Sequence, residues 1–435
     1  MTKNTRLLFF LLGCFLPTIS NAQFELPSGD ISDLIFGPLP VSARCLSMGG
    51  ACTAIADDVD MLVANPAGAT AIDKLTVNLQ LRYSNLTSVY MDQDVFESEV
   101  LGPRPGRLYK MEQDGPVNIA FAGISKPIGK WTVSAFYQQR LEFQGDLDIE
   151  EVWDLEGGRL FTNRNGLSIS LEGLGVSAAY QFSDSWSIGV TAVKSELELG
   201  VEDSWQVNSL SGAPVLQSDF DTILLGNRID DKGTDTLLQF GLLYQPEGRL
   251  SAGINYSQGG DFDFSSLAIK QLGQNGEILD MSAPASTTIS LADTLSVGFG
   301  WRHSPLLLFS LDIAHLGHSV LPPVRDQSLG LNLSLDELVE PIDDTLSIKL
   351  GFEKQFAPRE VSGNRYAIRA GVFSEQDHNG LSLMEGYDTH FTLGFGAALG
   401  RNNRFNLDVG IEGGDEEITF ITSLKYAFTN RSEVP

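Results

Sequence analysis

The chain has 435 residues, 42% of them hydrophobic, and a formal charge of -27. Its mean hydropathy of -0.01 is ordinary for a water-soluble protein, and past the N-terminus no run approaches 18 uninterrupted apolar residues, which excludes a helical membrane protein but not a barrel of alternating strands. The acidic balance argues against nucleic acid or an anionic membrane surface as partner, because both reward clustered Lys and Arg.

In chain order, residues 1–22 read as a secretory signal peptide: Lys3 and Arg6, the apolar run Leu7 to Leu16, then Ser20-Asn21-Ala22 with cleavage after Ala22. The run is too short to cross a bilayer as a helix. A second reading takes Leu11-Leu12-Gly13-Cys14 as a lipobox cut before Cys14. Cys45 and Cys52, seven residues apart, survive cleavage in a compartment that permits disulfides, so a local bridge is an open alternative. Neither belongs to a zinc or redox spacing, and no cofactor or metal is expected.

Residues 23–73 carry no strand pattern. The segment is rich in Gly and Ala, then reads Ala56-Asp57-Asp58 and Asn65-Pro66-Ala67. Small residues permit close packing in a narrow space, and Asn-Pro forces a turn. Asp57 and Asp58 are placed to accept bonds from backbone amides or wall cations.

From residue 74 to 428 the pattern changes. In 75–84 apolar and polar residues alternate without error, so one face is apolar and the other carries Asn, Gln and Arg. The pattern recurs at 117–126, 131–143, 174–182, 186–199, 237–245, 250–258, 294–303, 306–315, 346–356, 366–373, 389–399, 404–413 and 418–428. Fourteen strands of about membrane-spanning length predict an all-β, antiparallel transmembrane barrel. Short turns such as Gly129-Lys130 and Ser304-Pro305 alternate with long acidic connections, the longest at 200–236 and 259–293, which predicts periplasmic turns, extracellular loops and periplasmic termini. Trp131, Trp186 and Trp301 fall at strand ends, as an aromatic girdle requires. The last strand resembles the C-terminal signal read by the barrel-assembly machinery, with a seven-residue tail, 429–435, after it.

Polar faces should point into the lumen, which puts Arg82, Arg140, Arg302, Lys349, Arg369 and Lys425 there with Asp312, Glu353, Asp408 and Glu412. Most would form ion pairs that hold the N-terminal segment. Arg140, Lys349 and Arg369 are the candidates for an anionic ligand head, and Phe136 and Phe373 for its tail. No catalytic motif such as G-x-S-x-G or H-E-x-x-H is present, so no enzyme is expected.

The motif of Ala56-Asp57-Asp58 and Asn65-Pro66-Ala67 resembles the hatch of the FadL-type outer-membrane transporters for long-chain fatty acids and aromatic hydrocarbons. The resemblance implies fourteen strands, a small N-terminal hatch in the lumen (residues 23–73), passive uptake of a hydrophobic small molecule, and contact with outer-membrane lipid and lipopolysaccharide. It also implies an apolar groove in the loops after the fifth and seventh strands, here carrying Leu224, Leu225, Phe262 and Phe264. Family members open the wall at a kinked third strand, whereas Thr132 to Phe143 contains no glycine or proline. Similar hatches occur in secretion-linked shuttle barrels, so a shuttle or structural barrel is the alternative function.

Overall fold

The computed structural model describes residues 42–55, 58–91, 96–98, 102–104, 107–113, 117–151, 161–207, 223–267, 270–272, 278–281, 285–317, 344–356, 364–376, 387–399, 404–413 and 417–428. The signal-peptide and lipobox readings, Asp57 and the tail 429–435 lie outside these residues.

Fourteen antiparallel strands close on themselves: β1 (Thr76–Met91), β2 (Asn118–Ile128), β3 (Trp131–Glu151), β4 (Phe161–Gln181), β5 (Trp186–Val207), β6 (Ile223–Tyr244), β7 (Leu250–Ser257), β8 (Asp293–Ser304), β9 (Leu307–Gly317), β10 (Thr345–Phe356), β11 (Arg365–Gln376), β12 (Tyr387–Leu399), β13 (Phe405–Gly413) and β14 (Glu417–Ala427). Each pairs with its neighbour in sequence, and β1 pairs with β14 from Thr76↔Ala427 to Leu86↔Glu417. Every expected strand is present. Closure lets the ladder satisfy most of the backbone without water, as a bilayer demands.

Alternation decides which face meets lipid. On β4 the outward Leu174 and Val176 are 70% and 62% exposed, while the inward Leu171 and Ser177 are buried. At the end where the short turns lie, Trp131 packs on Tyr180 and Trp186 on Tyr244, with ring centroids 4.6 and 4.7 Å apart, and Trp301 stacks on Phe309. These amphipathic rings form the expected girdle.

Two expectations about the connections need correction. The stretch 200–236 is not mainly a loop: β5 runs to Val207 and β6 starts at Ile223, so these strands are 22 residues long and outlast a bilayer crossing. Hydrophobic runs alone do not end a ladder. Polar pairs continue it in solvent, as where Lys232 meets Glu196 and Glu198 at 3.0 and 2.9 Å. The connection 259–293 is no plain loop either: it holds a small sheet, Asp261–Leu267 against Ala285–Ser290, outside the barrel ladder, while Lys270–Leu272 pairs with Gly226–Arg228 of β6.

The N-terminal segment is buried inside the wall. Its elements are short: α1 (Ala43–Leu46), capped by the Ser42 hydroxyl accepting from Cys45 N, and 3₁₀ turns at Asp60–Val63 and Pro66–Ala71. Cys45 and Cys52 are disulfide-bonded, which resolves the alternative left open by their spacing. Between them Gly49 takes φ 61°, and a side chain there would meet the backbone of Leu350 and Val372 at 2.9 Å. Only glycine fits both the left-handed backbone and that approach.

Candidate functional site: a divided lumen

The lumen has a polar side and an apolar side. On the polar side, Glu353 of β10 accepts from Arg44 Nε at 2.9 Å and from Arg369 Nε at 2.7 Å, and Arg369 also donates to Asp408 at 2.7 Å. Lys425 of β14 pairs with Asp58. Asp312 of β9 accepts from the Thr53 amide at 2.8 Å, and Thr392 of β12 from Gly49 at 3.0 Å. Of the inward cations and carboxylates expected from strand phase, Arg369, Lys425, Asp312, Glu353 and Asp408 thus meet the N-terminal segment or one another. Gln80 holds it a second way, accepting from Ala43 N and donating to Asp60 at 2.6 Å.

Asp60 is fully enclosed in this segment. Burial, then the neighbouring Asp58, pushes its carboxyl up to about 7, opposed by a hydrogen bond from Ser42 and by Lys425.

Asn65-Pro66-Ala67 docks on the wall through main chain. Asn65 Oδ1 accepts from Ala67 N at 3.0 Å, and Nδ2 donates to Thr53 O at 2.8 Å and to Leu242 O of β6 at 3.2 Å. Gly189 and Gly241 face the motif where a Cβ would strike Pro66, Ala67 or Asn65. The motif and these two glycines are complementary surfaces.

The apolar side is one continuous cluster. Phe121 of β2, Phe136 and Leu141 of β3, Ile169 and Leu171 of β4, Val193 and Leu197 of β5, and Leu237 of β6 join Val59, Leu62, Ala69 and Ile72 from below. Phe262 and Phe264 join them from above, both 0% exposed. Phe136 stacks on Phe121 at 5.4 Å. The expected exposed loop groove therefore needs correction at Phe262 and Phe264. Strand alternation in 261–264 turns both rings towards the lumen over Gly233 and leaves Asp261 and Asp263 outside. Leu224 and Leu225 are strand residues of β6 rather than loop, and their side chains lie outside those described.

The five candidate ligand residues do not form one site. Lys349 and Phe373 are cross-strand partners on β10 and β11, with the ammonium 5.7 Å from the ring centroid and the ring stacked on His390 at 4.6 Å. Arg369 is committed to its two carboxylates. Phe136 and Arg140 lie on β3 instead.

Arg140 marks a break in the wall. It is the extra residue of a bulge, since Gln139 pairs with Glu172 and Leu141 with Leu171. On the other edge of β3, pairing with β2 stops at Phe121↔Gln138 and resumes at Gln113↔Gly145, in the strand Arg107–Gln113. Among the described residues, main chain from Gln139 to Gln144 has no ladder partner there, an interval of about 20 Å at strand rise. Arg82 of β1 reaches across it, donating to Gln139 O and Gln139 Oε1 at 3.1 Å each, and Asn118 donates to Glu142. The third strand thus carries a bulge although 132–143 contains no glycine or proline. The bulge and the break were not legible, because no residue type demands either.

No family model matches the chain, and no curated protein matches it in sequence. Solved structures do. A FadL homologue from Pseudomonas aeruginosa matches with TM-score 0.64 and 13% identity over 91% of this chain and 100% of that one. The Pseudomonas putida toluene transporter TodX gives 0.58 and 14% over 89% and 98%, and the Ralstonia pickettii toluene transporter TbuX gives 0.54 and 14% over 89% and 98%. The chain therefore has the FadL-type barrel fold.

Proposed function

We propose that the chain is an outer-membrane channel through which hydrophobic small molecules, long-chain fatty acids or aromatic hydrocarbons, pass by passive diffusion. One observation carries this reading: the apolar cluster runs along a single side of the lumen, from under Phe262 and Phe264 down to Phe121 and Phe136, beside the wall break. A structural barrel gains nothing from dividing its lumen this way. The fold shared with the toluene transporters TodX and TbuX supports this reading.

In this reading the ligand displaces Phe262 and Phe264, follows the apolar side and leaves near β3. Residues 42–72 act as a hatch fixed to the wall on both sides, so exit past Leu141 costs fewer broken bonds than hatch movement. Among the described residues, none forms a hydrogen bond or ion pair with Arg140, which makes it the natural counter-charge for an anionic head. Lys349 and Phe373 form a separate, smaller polar–aromatic pair.

The test is uptake of tritiated oleate and of labelled toluene by cells that carry the chain in an outer membrane lacking other such channels. Uptake of either above the empty-vector rate supports the function. Rates equal to the empty vector for both contradict it and favour the shuttle or structural barrel.

A further inference from the structure

We infer that Arg82 is the latch of the wall break: its guanidinium replaces missing ladder bonds between β2 and β3, and its release frees the edge of β3. The inference deepens the proposed exit beside β3 and rests on that reading for its transport consequence only.

Three observations converge on Arg82. Among the described residues, no ladder pairing joins Gln139 to Gln144 to the β2 side, so main-chain groups of β3 there need other partners. Arg82 starts two strands away, its Cα opposite Asn118, yet its side chain is 2% exposed and ends on Gln139 O and Gln139 Oε1. It therefore bridges β1 to β3 past β2, which a structural arginine packed within its own strand pair would not do.

The surroundings favour a latch over a permanent tie. Gln139 turns its amide towards Glu172, 3.4 Å away, and Asn118 donates to Glu142, so among the described residues side chains span the break. Side-chain bonds can break one at a time, whereas an unzipped ladder is a cooperative loss. The height suits an exit: Val117 and Ile119 of the adjoining chain face outward at 67% and 46% exposure, so lipid-facing surface continues to the edge of the break. On the lumen side Leu141 and Phe136 bring the apolar cluster to the same place.

The experiment has two arms. In the first, amide hydrogen exchange of the purified full chain in detergent compares wild type with Arg82→Met. Exchange about tenfold faster at the β2-facing amides of Gln139 to Gln144, with β4 and β5 unchanged, is expected for loss of a charge-assisted bond. Arg82→Lys, which keeps one donor, should fall between. Unchanged exchange at 139–144, or a rise spread evenly over the barrel, overturns the latch whether or not the chain transports. In the second arm, Asn118→Cys with Glu142→Cys is oxidised to staple the break, and tritiated oleate uptake is measured against identically treated wild type. The stapled protein should bind oleate yet lose its uptake, and uptake at the wild-type rate would overturn the latch. A wild type that takes up no oleate removes the proposed function and leaves the exchange arm to decide.

Discussion

Arg82 and Gln139 lie on strands that are not neighbours, and the guanidinium of one donates to the main-chain carbonyl of the other at 3.1 Å. That bond divides the barrel in two. On one side of it the wall binds the hatch through charge, and on the other it offers apolar surface and an interrupted ladder.

Glu353 joins Arg44 of the hatch to Arg369 of the wall, and both the carboxylate and Arg369 are buried. Glu353→Ala leaves two cations without their shared partner, and removing one member of a buried pair costs about 3–5 kcal/mol. The expected outcome is a clear fall in the temperature at which the barrel loses its compact, fast-migrating form on gels. An unchanged transition would mean that the network carries no net stability.

Gly241 lies against Asn65 and Pro66, with no room for a Cβ. Gly241→Val should lift the Asn65-Pro66-Ala67 motif from the wall while the ladder around it stays paired. Limited proteolysis in detergent should then cut within residues 58–72, where wild type resists. Equal resistance in both proteins would show that the motif tolerates displacement.

Phe262 and Phe264 close the top of the apolar cluster, and full burial of each ring is worth roughly 1.5–3 kcal/mol. The double change to alanine should raise the initial rate of toluene uptake and leave the barrel's thermal transition nearly in place, since the small sheet lies outside the ladder. A slower rate would make the two rings part of the capture site rather than its lid.

Asp60 gives a pH dependence of definite sign. Its carboxyl is pushed up to about 7 in the fold, above its ordinary value of 3.8, so the folded chain binds more protons than the unfolded chain between those values. Stability contributed by the neutral form is present below the lower value and is lost as pH rises towards 7. Wild type should unfold at a lower temperature at pH 8 than at pH 5, and Asp60→Asn should flatten that slope. A steeper slope in the variant would contradict the assignment.

The Cys45–Cys52 bridge closes a short loop around Gly49 and Gly50, and a loop of that size contributes roughly 2–3 kcal/mol in the chain-entropy account. Cys45→Ser with Cys52→Ser should expose residues 42–55 to protease with little change in barrel strands. Protection equal to wild type would show that the bonds from Arg44, Gly49 and Thr53 to the wall suffice alone.

Much of this architecture is legible in the sequence, because strand phase is a local property. Leu75 to Ser84 announces its two faces, and the same alternation places Asp312, Glu353, Arg369 and Lys425 in the lumen. What phase cannot supply is pairing. Arg369 looks as available to a ligand as Arg140 does, until Glu353 and Asp408 arrive from neighbouring strands. Phe262 and Phe264 read as exposed loop because nothing local says that their hairpin turns inward. The bulge at Arg140 has no residue signature, since any residue can adopt it, and the break opposite depends on where two other strands stop. Asn65-Pro66-Ala67 is legible as a turn, but its meaning comes from Gly189 and Gly241, more than a hundred residues away.

A ligand path along the apolar side of the lumen requires saturable binding there, which equilibrium titration measures. Detergent-purified wild type and Phe136→Asp would be titrated with tritiated oleate and with labelled toluene, Phe136 being buried in the cluster beside Phe121. Saturable binding of either probe to wild type, lost in the variant while heat-modifiable migration persists, is the predicted result. Absence of saturable binding to wild type, or binding that Phe136→Asp leaves intact, would contradict it.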